Sequence, residues 1–324
     1  MRAVADISRR GLIDTELETL LQPFPGWETE WIHLGPGPAS LQGLRVSSGP
    51  GTFTTLHTSS AGILRGTTAR NSLGLIASLD TTARPRSHAH NIGGDVCLVL
   101  GPAATLDVYL PSGGSAMIVG VPAAAPAIHA AAAAGEPARC RTLSSEEGAL
   151  LSRCMEALEH LRAESASSPA ARDIQLRLRE HLRTLTPVLM REAGSLAQTE
   201  RARLQRHLAV IRACTFVDAH LRAPIALMDL CTAAGVSTRA LEYGFRDFYG
   251  LGPMAYVRNL RLCRVRHDLL DPSRNDHSVS GAARRWSFTH MGQFSHDYRA
   301  LFGEMPSMTL AAHQRAAKAT GPVS

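Results

Sequence analysis

The chain has 324 residues, 44% of them hydrophobic and 19% charged, which is enough for two domains with a core each. No run approaches the ~18 consecutive apolar residues of a membrane span, and the start, Met1-Arg-Ala-Val-Ala-Asp-Ile-Ser-Arg9, lacks an apolar signal core, so a cytoplasmic protein is expected. Net charge is +6, but unevenly placed: residues 201–324 hold 17 Arg and Lys against 9 Asp and Glu, residues 1–200 hold 17 against 19, and the basic last third is therefore expected to meet a polyanion.

Residues 40–122 carry strand signals. Short apolar runs such as Leu73-Gly-Leu-Ile-Ala77, Val96-Cys-Leu-Val-Leu100 and Ala116-Met-Ile-Val-Gly-Val121 are punctuated by Gly, Pro, Asn and Asp, as in a β-sandwich or small barrel. Residues 123–138 form an Ala/Pro/Gly-rich connection. Ser144-Ser-Glu-Glu147 is a capping box, and Leu150, Cys154, Leu158 and Leu161 then keep one helical face apolar. A break at residues 165–170 precedes a second amphipathic helix, with Leu178, Leu182, Leu185 and Leu189 on one side and Pro187 expected to kink or restart it. Two alternatives stand for this pair of helices: a dimer seam, or packing back on the strands. Six scattered cysteines contain no Cys-x-x-Cys, so neither a zinc knuckle nor a disulfide framework is expected, and no cofactor is assigned.

From Thr199 to about residue 315 the pattern is helical, and one architectural phrase occurs twice. In the first copy, about 225–246, Leu227, Leu230, Cys231 and Ala234 face inward; Gly235 supplies a left-handed turn, and Ser237 is a natural N-cap. Leu241, Phe245 and Phe248 bury the second helix and turn Thr238, Arg239, Glu242, Tyr243 and Arg246 outward. In the second copy, about 277–300, Val279, Ala282, Ala283 and Trp286 face inward, followed by Phe288; Phe294, Tyr298 and Phe302 then leave Thr289, His290, Gln293 and His296 outward, with Arg299 near the backbone of a duplex. A helix, a tight turn and a second helix with one free face make a helix-turn-helix reader, present in tandem. Arg can grip guanine or phosphate, Glu can accept from cytosine N4, and Gln can pair with adenine. Between the copies, the stretch Pro253–Leu270 reads as one helix of about 17 residues, roughly 25 Å at ~1.5 Å per residue, which with the width of each unit would set the two readers about 34 Å apart, one turn of B-DNA. Arg258, Arg261, Arg264 and Arg266 on it are candidate phosphate contacts.

Roughly residues 205–312 resemble the AraC/XylS family of bacterial transcription regulators. The resemblance is carried by Ala233-Ala-Gly-Val-Ser-Thr-Arg-Ala-Leu241, Gly250-Leu-Gly-Pro-Met-Ala-Tyr256, Arg261-Leu-Cys-Arg-Val-Arg266, and the run from Phe288-Thr-His-Met-Gly-Gln-Phe294 to Gly303-Glu-Met-Pro306. It implies a two-reader domain for promoter DNA, an N-terminal effector or dimerisation domain, and contact with RNA polymerase. Three departures stand out. Ser287 occupies the family's usual Gly, Ala282 replaces a bulkier aliphatic, and Gly244 weakens the first recognition helix by ~1 kcal/mol relative to Ala. The second reader is expected to be the looser and less base-specific one.

The β-rich half resembles, more weakly, the cupin-like domains attached to this family. His88-Ala-His90 with Asp95 has the outline of a cupin metal motif, yet Asn91-Ile-Gly-Gly-Asp95 looks like a turn that would leave the histidines at a rim, and no later His completes a ligand set. The aromatic stretch Phe24–Trp31 is read as covering the barrel end. The expected fold is thus α+β: a β-rich domain over 1–140, a helical connector over 141–198, and an all-α DNA-binding domain over 205–312. The expected function is sequence-specific regulation of transcription as an activator, without catalysis, by a homodimer under a small-molecule or assembly signal. The rivals are a cupin-type metalloprotein with an appended DNA-binding domain, and an architectural binder with little base preference.

Overall fold

The structure, a computed structural model, describes residues 8–11, 26–38, 40–48, 51–78, 80, 82–87, 90–122, 138–163, 168–190, 201–271 and 278–319. It divides into two units, Met1–Trp31 with Ser40–Gln198, and Ile32–Ala39 with Thr199–Ser324. The fold is α+β: among the described residues β-structure is confined to the N-terminal part, and the elements after residue 200 are all helices.

Among the described residues the first unit has twelve strands: β1 (Ser8–Gly11), β2 (Glu28–His33, whose last two residues fall in the other unit), β3 (Leu41–Ser48), β4 (Gly51–Thr58), β5 (Gly62–Thr67), β6 (Ser72–Ala77), β7 (Arg86–Ser87), β8 (His90–Asn91), β9 (Val96–Leu100), β10 (Thr105–Leu110), β11 (Ser115–Pro122) and β12 (Ala138–Thr142). They form two sheets, ordered β1-β3-β4-β11-β6-β9-β12 and β2-β5-β10-β7-β8, with antiparallel pairing. The apolar runs are continuous rather than alternating because the larger sheet is covered twice. On one face Leu56, Ile76, Leu98 and Ile118 meet Leu64, Leu106, Val108 and Leu110 of the smaller sheet. On the other, Phe53, Leu75, Val99 and Val119 meet two helices, α1 (Ser145–Ala163) and α2 (Pro169–Met190).

Those helices spend their apolar stripes on the sheet. Leu150, Cys154, Leu158 and Leu161 of α1, with Ile174, Leu178 and Leu185 of α2, are buried in one cluster with it. At roughly 1.5–3 kcal/mol per buried side chain this contact anchors both helices, so the connector belongs to the first unit. The side chains of Leu182 and Leu189 lie outside the described residues. The restart expected at Pro187 does not occur, since α2 runs unbroken to Met190. The capping box forms as expected, with Ser144 N donating to Glu147 Oε2 at 2.9 Å and Glu147 N to Ser144 Oγ at 3.3 Å. Arg141 Nη2 of β12 lies 2.7 Å from the same oxygen, in a buried ion pair. Burial pushes the Cys97 thiol up to about 11 and Cys154 to about 12, so both behave as apolar core residues.

Trp27 corrects the view of its stretch as a cover. It sits inside the sandwich, donating Nε1 to Ser72 Oγ at 2.8 Å, and a Cβ on Gly74 would lie 2.5 Å from its ring. Phe24 lies outside the described residues. Gly93 and Gly94, with positive φ, make the turn expected before β9; His88 lies outside the described residues, among which no cluster of three metal-ligating side chains occurs. Among the same residues no helix is long and apolar enough to cross a membrane.

The second unit comprises α3 (Arg201–His220), α4 (Leu227–Ala234), α5 (Thr238–Tyr249), α6 (Pro253–Leu270), α7 (Val279–Arg285), α8 (Met291–Phe302) and α9 (Pro306–Ala319). It is wider than residues 205–312 and includes a strap from far upstream that begins with the last two residues of β2. Helix α8 leaves its last carbonyls without intrahelical partners. Gly37 N donates to Ala300 O at 2.9 Å, and His33 Nε2 reaches Leu301 O at 2.9 Å and Gly37 O at 2.9 Å. Both His33 partners only accept, so Nε2 carries the proton. Asn259 of α6 donates to Leu34 O at 3.0 Å, and the His33 ring stacks on Phe302.

Gly244 has a reason that helix propensity hides. A Cβ there would meet Val210 Cγ2 of α3 at 2.9 Å, so the glycine lets the two helices close. Gly244→Ala should therefore destabilise the unit by about 1 kcal/mol, because overpacking of ~1–3 kcal/mol outweighs the ~1 kcal/mol propensity gain. Urea denaturation checks the sign; a stabilised variant contradicts it.

Candidate nucleic-acid interface

Each helix-turn-helix unit is set by short-range chemistry. In the first, Gly235 takes φ +68° and closes α4 in the left-handed form, and Ser237 caps α5 by accepting from Ala240 N at 3.3 Å. Leu241, Phe245 and Phe248 are buried, as their spacing predicts. In the second, Ser278 caps α7 by accepting from Gly281 N at 3.0 Å, and Phe294, Tyr298 and Phe302 bury α8. Ser287 adopts φ +63°, the conformation for which glycine is the usual choice. Its hydroxyl donates to Arg222 O, a bond glycine would not make, and the Arg222 guanidinium stacks 4.9 Å from the Trp286 ring centre.

Helix α6 ties the two units together. Arg261 donates to Leu221 O at 3.0 Å and Ala223 O at 2.6 Å, gripping the turn between α3 and α4. Asp268 accepts from Arg285 at 2.6 Å and from Trp286 Nε1 at 2.9 Å, holding α7. Arg266 donates to Glu304 at 2.8 Å and to Thr309 Oγ1 at 3.3 Å beside Tyr298, whose hydroxyl burial pushes up to about 12. Two of the four arginines suggested for phosphate are therefore internal braces. Arg258 is exposed, with Nε 3.6 Å from Asp297 Oδ2; Arg264 is half-buried.

The suggested reading residues fall on the two recognition helices, but in different states. Ser237, Thr238, Arg239, Tyr243 and Arg246 are exposed on or just before α5, and Thr289, His290, Gln293, His296 and Arg299 on or just before α8. The side chains of Arg239, Thr289, His290 and Arg299 make no hydrogen bond or ion pair among the described residues. Glu242 is half-buried: it pairs with Arg246 at 3.4 Å and lies against Gly252, at the N-terminus of α6, where the helix dipole favours a carboxylate. Tyr243 lies under the Arg206 guanidinium, 5.1 Å from its ring centre. Gln293 donates to Asp297 at 2.7 Å. Sequence periodicity missed Arg206, on a separate helix, and Asp297, a half-buried carboxylate inside an otherwise solvent-facing stripe. It also missed Met228, 64% exposed, with Sδ 4.0 Å from Thr238 Oγ1.

A family model described as a helix-turn-helix domain matches residues 230–312. The "XylDLEGF operon transcriptional activator 2" of Pseudomonas putida is 37% identical over 103 residues, 32% of this chain and 66% of that protein. This C-terminal part is an AraC/XylS-type helix-turn-helix DNA-binding domain. A probable thc operon regulatory protein of Rhodococcus erythropolis is 34% identical over 98 residues, 30% of each chain. Among solved structures, a probable AraC family transcriptional regulator from Rhodopseudomonas palustris is 32% identical at a TM-score of 0.31, covering 32% of this chain and 96% of that one. The chain thus spans about two thirds of the first relative's length and under a third of the second's. In the AraC/XylS-type domain the arrangement permits two adjacent bites of one duplex, because both recognition helices are braced by one central helix and their first turns are exposed.

Proposed function

We propose that this protein is a sequence-specific transcription activator that grips promoter DNA with both recognition helices. The observation that carries it is the bracing of two helix-turn-helix units on α6, which fixes their spacing before any DNA arrives. At ~1.5 Å per residue the 18 residues of α6 span about 27 Å; with the width of the flanking units this suits successive major grooves about 34 Å apart. Activation is favoured by the P. putida relative, itself named an operon activator. The protein acts in the cytoplasm as a homodimer, engages RNA polymerase, and receives a small-molecule or assembly signal at its β-rich unit, without catalytic chemistry. The α1 and α2 stripes are used on the sheet, so the dimer forms through another surface.

Binding of random and promoter duplexes by the full chain and by residues 1–195 tests the reading. The full chain should bind and the fragment should not; equal binding overturns it. Arg239→Ala should cost about 1–3 kcal/mol at particular bases and relax preference there, whereas a phosphate role would weaken all sequences alike and lower the salt slope by about 1. Affinities for single-base-substituted sites at two salt concentrations separate the two.

A further inference from the structure

Within α8 one carboxylate faces three polar side chains. Asp297, with only 13% of its side chain exposed, takes the Gln293 amide on Oδ1 at 2.7 Å, lies 3.6 Å from Arg258 Nε of α6 through Oδ2, and 3.5 Å from His296 Nδ1 through Oδ1. An ionised carboxylate has only lone pairs to offer, so the atom of Gln293 that meets it is the NH2 nitrogen and not the oxygen. Arg258 of the central helix stands within ion-pair distance of the other oxygen, so the carboxylate has a second partner besides Gln293. The exposed amide, in the first turn of the recognition helix, is thereby oriented in advance, with Oε1 turned away from Asp297.

We propose that Asp297 is a positioning residue that sets the base preference of the second helix-turn-helix unit by locking Gln293 with its oxygen outward. An outward amide oxygen accepts, and in the major groove the matching donors are the exocyclic amines of adenine and cytosine. Guanine O6 and thymine O4 set an acceptor against that oxygen and are disfavoured. The amide's second N–H stays available, so adenine, with N7 beside its amine, is the best fit. A glutamine without such a neighbour turns either end outward and loses this discrimination. The inference rests on the proposed grip of DNA by both recognition helices. It gives the second unit a reading role that its less regular sequence does not suggest.

Selection of binding sites from a random-duplex library by the full-length protein tests it, followed by affinities for single-base variants of the best site. The wild type should favour A or C over G or T tenfold or more at one position of one strand in the second half-site. Asp297→Asn, which offers either an acceptor or a donor to Gln293, should shrink that preference below threefold, with affinity for the best site within threefold and the salt slope unchanged. Gln293→Met, which leaves the Asp297–Arg258 pair intact, should lose the same preference, and adding Asp297→Asn to it should change nothing further. A uniform loss of affinity in Asp297→Asn with the preference retained would show a merely structural carboxylate and overturn the proposal, as would full preference in Gln293→Met. A wild type that selects no sequence overturns the promoter-binding function itself, and the positioning role with it.

Discussion

Asp268→Ala should cost the helical unit about 3 kcal/mol and loosen the second helix-turn-helix unit first. Asp268 is a buried carboxylate on α6, with 2% of its side chain exposed, and it accepts from Arg285 at 2.6 Å and from Trp286 Nε1 at 2.9 Å. Removing one partner of a buried pair costs ~3–5 kcal/mol because the other is left without compensation. Arg285 is 26% exposed and regains some water, which puts the effect at the lower end. The Trp286 Nε1 has no such recourse, since its side chain is buried. Asp268→Asn keeps an acceptor for the indole and should cost about half as much, as a hydrogen bond to a neutral group is worth roughly half of one to a charged group. Urea denaturation followed by tryptophan fluorescence reports both values. A loss below about 1 kcal/mol for the alanine variant would show that α7 is held by packing alone.

Gly303→Ala should be nearly as damaging, at about 3 kcal/mol, for two separable reasons. Gly303 has φ +77°, which costs a residue with a Cβ roughly 1–2 kcal/mol. That Cβ would also lie 2.8 Å from Pro38 Cδ of the strap, a clash of ~1–3 kcal/mol. His33→Ala removes the strap's bond to Leu301 O and its stacking on Phe302, at about 2 kcal/mol. In combination the two should cost less than their sum, because a loosened strap no longer meets the new methyl. Thermal denaturation of both single variants and the double variant gives the coupling. Strict additivity would mean that the strap does not bear on Gly303.

The helix-turn-helix units were legible because their signals are local. Gly235 and Ser237 punctuate α4 and α5 within a few residues, and the spacing of Leu241, Phe245 and Phe248 names the buried face without knowledge of what covers it. Runs such as Leu73–Ala77 announced strands, though not that the sheet would be covered on both faces, since a continuous apolar run looks the same whichever neighbours bury it. What the sequence concealed depends on partners far along the chain. Gly244 reads as a weak helix residue until Val210 is seen against it. Arg261 and Arg266 read as phosphate contacts because charge pattern does not reveal a carbonyl or a carboxylate 38 or 40 positions away. Glu242 and Gln293 were placed on the right face by periodicity, which says nothing of the neighbours that orient their polar ends.

The strap also sets an order of events during synthesis. Its bonds join residues 225 and 268 positions apart, Leu34 to Asn259 and His33 to Leu301. At ~5–20 residues per second, a ribosome delivers the second partner on the order of 10–50 s after the first. Through that interval residues 32–38 stand without the helices they will join, and the last strand, β12, is made well before those helices. Because loop closure of this length precedes any reward from the contact, the strap should be among the last parts of the helical unit to settle. A chain released before residue 301 would carry its first helix-turn-helix unit without the cap on its second recognition helix, so the seated strap marks a chain made beyond that residue.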